Sequence, residues 1–257
     1  MGLAIFRRWR RKRLAQQPLG KDRRAVIARN VPAYLRLPEE DRRELEGLVQ
    51  IFLDEKPFEG CGGLKITNEI RTTIAAYACI LLLGRDTDIY PKLRSILVYP
   101  SSYVAPLSRR EPDGTVTEGL QARSGESWSH GNVVLSWDDV LRCSSAEPTG
   151  RNVVLHEFAH QLDTESGSAE GAPALPGASL YAEWARVLGA EYQALIDAAE
   201  TGKPTLLDKY GTTSPAEFFA VATECFFEKP LELATLHPEL YGQLKLFYQQ
   251  DPAAVST

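Results

Sequence analysis

Two of the chain's four histidines stand in the run His156-Glu157-Phe158-Ala159-His160. Residues four apart on an α-helix lie one above the other on the same face. The two imidazoles can therefore bind one metal ion at about 2.0–2.1 Å each, which suits zinc. Glu157, rotated about 100° around the helix, flanks that position and can take a proton from a water held there. With four His and 22 Glu among 257 residues, the His-Glu-x-x-His pattern arises by chance in roughly one such chain in 200, so it is read as a signal. Val153, Val154, Leu155, Phe158, Ala159 and Leu162 give the surrounding helix a buried character. Buried polar side chains without partners are costly, so the histidines need a ligand, and a metal is favoured over backbone carbonyls.

A catalytic zinc takes three protein ligands and keeps one position open. The third is not a histidine at the x-x-Gly-x-x-His spacing, because Asp163 stands where that glycine would be. Carboxylates further on are the candidates, namely Glu183, Glu217 and Glu224, with His237 less favoured. Glu183 fits a ligand on the next helix. Glu217 sits in YGTTSPAEFFAVATECFFEKP, an apolar helix, but Ser214-Pro215-Ala216-Glu217 is also a good capping box, so Glu217 could merely close that helix. Glu224, on nearly the same face, could ligate or brace a histidine. Asp163 could orient an imidazole or cap the helix exit. His130 could face the cleft, although a surface position is favoured.

HEFAHQLD followed by Tyr210-Gly-Thr-Thr-Ser-Pro-Ala-Glu217-Phe-Phe-Ala resembles the glucose-regulated metallopeptidases of the Mlc titration factor A family. More distantly, it is similar to the catalytic domain of anthrax lethal factor. The segment SWSHGNVVLSWDDV shares the likeness, which covers most of residues 20–250 and leaves out the basic start. The resemblance implies that His156, His160 and Glu217 hold zinc, with one zinc per chain. It further implies that Tyr210, seven positions before Glu217, faces the metal and could donate a hydrogen bond to the oxyanion at a scissile carbonyl. Aminopeptidase-like activity on short peptides is implied as well, together with binding of an Mlc-like transcriptional repressor.

The elements that must position these residues can be read along the chain. Residues 22–56 carry helical patterning broken near Pro32, and FEGCGG at 58–63 reads as a turn. Residues 66–84 read as a buried helix capped by Thr67 or Asn68. KLRSILVYP at 92–100 and GNVVLSW at 131–137 read as strands, with Asp113-Gly114 a hairpin pair between them. The strand at 131–137, just ahead of the metal helix, is expected to be an edge that pairs with extended substrate. A short helix, DDVLRCS, follows it. TESGSAEGAPALPGAS after Asp163 reads as a mobile loop over 164–179, and residues 180–202 as an amphipathic helix.

Together these predict an α+β, zincin-like fold with a small mixed sheet, the metal helix and flanking helices. The expected organisation is a basic arm over 1–20, a helical part over 21–90 and a catalytic part over 91–257, the last two forming one compact unit. Composition is that of an ordinary globular protein, 44% apolar and 25% charged, and no apolar run reaches the 18 residues a membrane span needs. Four scattered cysteines with no Cys-x-x-Cys pair argue for reduced thiols and a cytoplasmic setting.

Charge is uneven. Residues 1–36 hold eleven Lys/Arg against one acid, a net +10, whereas the remainder holds 18 against 33, a net −15. The basic start lacks a secretory apolar region. It is read first as a solvated arm, second as a weak peripheral contact with an anionic membrane; direct nucleic-acid binding is not expected, since no base-reading module accompanies it.

The function expected is a zinc metallopeptidase hydrolysing peptide bonds, with Glu157 activating water. The rival reading is a protein that sequesters a repressor and in which hydrolysis is secondary. A purely structural zinc is disfavoured, because such a site is usually closed by four ligands and has no use for Glu157.

Overall fold

The computed structural model describes the chain except residues 1, 102, 111–115, 124, 127–130, 145–148, 166, 168–169, 176 and 256–257; for 2–5, 103–110, 116–123 and 125–126 only the backbone is described. His130 and the Asp113-Gly114 pair therefore lie outside the described residues. The helical first part comprises α1 (Gly2–Ala15), α2 (Lys21–Asn30), α3 (Pro32–Arg36) and α4 (Glu39–Glu55). The break between α2 and α3 falls where Pro32 removes a backbone donor. The short strand β1 (Phe58–Gly60) leads to α5 (Asn68–Ile80), whose first turn is closed by the Thr67 hydroxyl accepting from Ile70 N at 3.2 Å. All but three residues of α5 are buried, as its apolar run implied.

Four strands make the mixed sheet in the order β1-β2-β6-β5, with β2 (Ser95–Tyr99), β5 (Gly125–Glu126) and β6 (Asn132–Ser136). Strands β1, β2 and β6 run parallel, with Ile96 opposite Val133 and Val98 opposite Leu135, while β5 is antiparallel to β6. A separate hairpin is formed by β3 (Tyr103–Arg110) and β4 (Val116–Arg123). Two expectations change here. Phe58–Gly60 is a strand, not a turn, because β2 supplies its hydrogen-bond partners from far along the chain. Strand β6 is not an edge, since β2 lies on one side and β5 pairs with Val134 and Leu135 on the other. Burial of Val133 through Ser136 fits an inner strand covered on both faces.

After β6 come α6 (Trp137–Arg142), capped by Ser136, and the metal-motif helix α7 (Val153–Glu165). Then follow α8 (Tyr181–Glu200), α9 (Pro215–Glu228), α10 (Pro230–Leu236) and α11 (Pro238–Tyr248). The last three each begin on proline, whose missing N–H costs nothing at a helix start.

One continuous apolar core runs from Leu19 to Tyr248 and takes residues from both the helical part and the sheet-bearing part. Its centre near α7 is aromatic. Phe158 meets Phe52 of α4 at 5.8 Å in a tilted contact and Tyr90 at 4.8 Å edge to face, ring centre to ring centre. Helix α9, apolar nearly all round, is buried along most of its length against α7, as a helix without a polar face must be. The fold is α+β and zincin-like: a small mixed sheet, a buried metal-motif helix, and helices before and after it. All four cysteines are free thiols.

The basic start is not a solvated arm. Helix α1 lies on α4, where Arg7 and Arg11 pair with Glu55, Arg10 with Asp54, and Arg11 also with Asp88. Gly47 permits the approach, because a Cβ there would stand 3.2 Å from the Ala15 backbone.

Candidate metal centre

Helix α7 presents His156 and His160 one turn apart, with ring centres 4.9 Å apart. Its opposite side, Val154, Leu155, Phe158 and Leu162, is buried in the core, so the apolar residues fix which way the imidazoles turn. Asn152 starts the helix, its side-chain oxygen accepting from Leu155 N at 3.1 Å. Helix α9 packs alongside and brings Glu217. The Ser214 hydroxyl accepts from Glu217 N at 3.2 Å, so the serine does cap the helix. The Glu217 side chain, however, does not reach back to complete a capping box but turns to the histidines. Its Oε2 lies 3.0 Å from His156 Nε2 and 3.5 Å from His160 Nε2.

Among the described residues this is the one group of three metal-ligating side chains brought together, its ligand atoms all within 4.8 Å of one another. The donor set fits a divalent cation. Neighbouring ligand atoms around a tetrahedral ion with bonds near 2.0 Å lie roughly 3.3 Å apart, and the two separations to Glu217 fall on either side of that. Two neutral imidazoles and one carboxylate would leave such an ion with net positive charge.

Carboxylates crowd the site and favour positive charge within it. Burial raises the Glu217 carboxyl, but hydrogen bonds from His156 and His160 overcome it and hold the group at about 2. Burial also opposes a charged His156, yet Glu224, Glu217 and Glu157 hold its pKa well above the ordinary value. His160 is lowered, chiefly by burial. Burial pushes the Glu157 carboxyl up to about 7; His156 opposes this, while Glu217 and Glu224 add to it. Glu157 Oε2 is buried with no hydrogen-bond partner among the described residues. An unpartnered carboxylate oxygen beside two imidazoles is costly to keep and is available to a bound water or substrate.

The other expected residues fall into place as follows. Glu224 lies outside the three-residue group; its Oε1 stands 2.7 Å from His156 Nδ1, and its Oε2 accepts from Asn152 N. It thus braces the imidazole from behind, as the carboxylate partners of metal-ligating histidines do. Asp163 accepts from Gly171 N at 2.8 Å and from Ala172 N, which ties the following loop to α7. Glu183 is exposed and paired with Arg186, and His237 is bonded to Glu191 at 2.8 Å; neither joins the cluster. Tyr210 stands on a short 3-10 turn, Lys209–Thr213, just ahead of α9, half exposed, with its ring centre 6.0 Å from that of His156. The sequence reading missed Asn152, which caps α7, holds Glu224 through its N–H and donates to Glu228 at 2.9 Å. The available signal was an asparagine just ahead of the apolar run, a favoured N-cap.

The chain is similar to known proteins over most of its length. Residues 6–249 match the family model described as glucose-regulated metallopeptidase M90. The match begins at residue 6, so it takes in most of α1 as well. An uncharacterized protein of Synechocystis is 41% identical over 246 residues, covering 95% of this chain and 89% of that one. Mlc titration factor A of Serratia proteamaculans is 34% identical over 220 residues, 83% of each chain. The protein of that name from Klebsiella pneumoniae is 33% identical over 225 residues, 86% of this chain and 84% of its own.

Proposed function

The chain belongs to the glucose-regulated metallopeptidase M90 family, and from that premise we propose that it is a zinc-dependent peptidase, aminopeptidase-like on short peptides. The observation that carries the proposal is the meeting of His156, His160 and Glu217 beside a buried Glu157. In this reading the three residues hold one zinc. When bound, such an ion supplies Lewis acidity at the substrate carbonyl and lowers the pKa of water to about 7.

The chain's own residues do the rest. Glu157 takes a proton from the attacking water as the new carbon–oxygen bond forms. It returns that proton to the amine nitrogen as the carbon–nitrogen bond breaks, so the carboxylate is regenerated. Tyr210 donates a hydrogen bond to the oxygen that becomes negative at the carbonyl carbon. Glu224 keeps the His156 ring in one orientation. The parts over 21–90 and 91–257 act as one unit, a reading supported by their shared core.

A second reading has its own support, the name of the relatives. Proteins called Mlc titration factor A share about a third of their residues with this chain over most of its length. We therefore propose as the alternative that it sequesters an Mlc-like repressor in the cytoplasm, with hydrolysis secondary. No described helix is long and apolar enough to cross a membrane.

One comparison separates the readings: metal content, peptidase activity and repressor binding of the parent and of Glu157→Gln. The peptidase reading expects near one zinc per chain in both, with activity lowered by a factor of about 10²–10⁴ in the variant. Absence of zinc from the parent, even after supply, would sink it. Zinc in both with no cleavage in either, and undiminished repressor capture, would favour the second reading.

A further inference from the structure

Helix α1 carries six basic residues and no acid, and the structure divides them by face. Positions 7, 10, 11 and 14 share one side of a helix. There Arg7, Arg10 and Arg11 are paired with Glu55, Asp54 and Asp88, and Leu14 packs on the core. The opposite side is unpartnered. Phe6 and Trp9 are 60% and 57% exposed, their rings stacked at 6.2 Å. Around them stand Arg8, Lys12 and Arg13, all exposed and with no ion pair among the described residues. The Arg13 guanidinium lies over the Trp9 ring at 5.7 Å.

We propose that this outer face of α1, Phe6 and Trp9 ringed by Arg8, Lys12 and Arg13, docks the protein on the surface of an anionic lipid bilayer. Two aromatic rings in water gain by entering the boundary between headgroups and acyl chains, and cations beside them meet lipid phosphates. Charge complementarity gives the direction. Outside α1 the chain holds 23 basic and 34 acidic residues, a net −11, so the rest of the molecule taken together is repelled by a negative surface and α1 leads. The inner arginines are committed to α4 and keep the helix on the protein while its outer side is in lipid. Duplex nucleic acid would use the cations but leave the aromatic pair in water, so the bilayer is the better fit. The active centre takes no part in this contact, which stands apart from the peptidase reading.

The test is co-sedimentation of the full chain with vesicles of phosphatidylcholine and phosphatidylglycerol in equal parts, against phosphatidylcholine alone. Binding to the anionic vesicles only is expected, weakened on the order of 100-fold by R8E/K12E/R13E and clearly by F6S/W9S. Bromine-labelled lipid is expected to quench Trp9 fluorescence, an effect lost in Trp9→Phe while binding persists. These exposed substitutions leave metal content and thermal midpoint unchanged, so a loss of binding is not a loss of fold. The proposal is overturned if the parent ignores anionic vesicles, if charge reversal leaves binding intact, or if F6S/W9S binds as the parent does. Association with a DNA duplex, or of the chain with itself, through this face without vesicle binding would overturn it too.

Discussion

His156 is held from both ends, by Glu217 at Nε2 and by Glu224 at Nδ1, and the two carboxylates differ in what their removal should do. If the proposed zinc site holds, Glu217→Ala takes away a ligand and is expected to abolish stoichiometric zinc. Glu224→Ala would leave the three proposed ligands but free the imidazole, so zinc affinity should fall by about 10–100-fold, read by competition with a chromogenic chelator. Equal loss in the two variants would count against this division of roles. Tyr210→Phe is expected to lower kcat by about 10²–10³ with zinc content unchanged, the cost of one oxyanion donor. An unchanged kcat would take Tyr210 out of the reaction.

At the scale of elements, the centre depends on how α7 and α9 meet and on the loop between α7 and α8. Gly171 lies in that loop at φ +74°, and a Cβ there would come within 2.4 Å of the Pro215 carbonyl oxygen at the start of α9. Its carbonyl also accepts from Trp184 Nε1 at 3.1 Å, and its N–H is held by Asp163. The loop is thus stitched to α7, α8 and α9 at this residue, not free throughout as the run of small residues suggested. Gly171→Ala must strain the backbone and part these elements. A lower thermal midpoint and faster proteolysis within 170–175 are expected; an unchanged midpoint would show that the loop contributes nothing. Ser214→Ala should cost about 1 kcal/mol through the lost cap, seen as a lower urea midpoint.

For the whole molecule, attachment of α1 is electrostatic and therefore conditional. Burial acts to raise Glu55 and Asp88, yet hydrogen bonds from Arg11, with Arg7 on Glu55, outweigh it and hold both carboxyls below their ordinary values. A depressed folded pKa stabilises above the unfolded value and is lost as pH falls through the folded one. Release of α1 is accordingly expected below about pH 4, and partial loosening in high salt, since these pairs are partly exposed. Hydrogen exchange along α1 measures it. Protection that persists at pH 3 would mean that Leu14 and the Gly47 contact hold the helix without its charges.

The sequence by itself determined what is local. The four-residue spacing of His156 and His160 specifies one helical face, and the apolar residues around them specify a buried helix, as α7 proved to be. The caps at Thr67 and Ser214 and the strands near 95–99 and 132–136 were legible for the same reason, because propensity and periodicity act over a few neighbours. Local pattern left Glu183, Glu217 and Glu224 open and the family resemblance singled out Glu217; the tertiary structure brings Glu217, of the three, into the group with His156 and His160, because that depends on which helix packs on α7. It likewise decided that Phe58–Gly60 is a strand, that β5 covers the outer side of β6, and that the basic start lies on α4. Those outcomes rest on hydrogen bonds and ion pairs with partners outside each segment, which the segment's own pattern does not record.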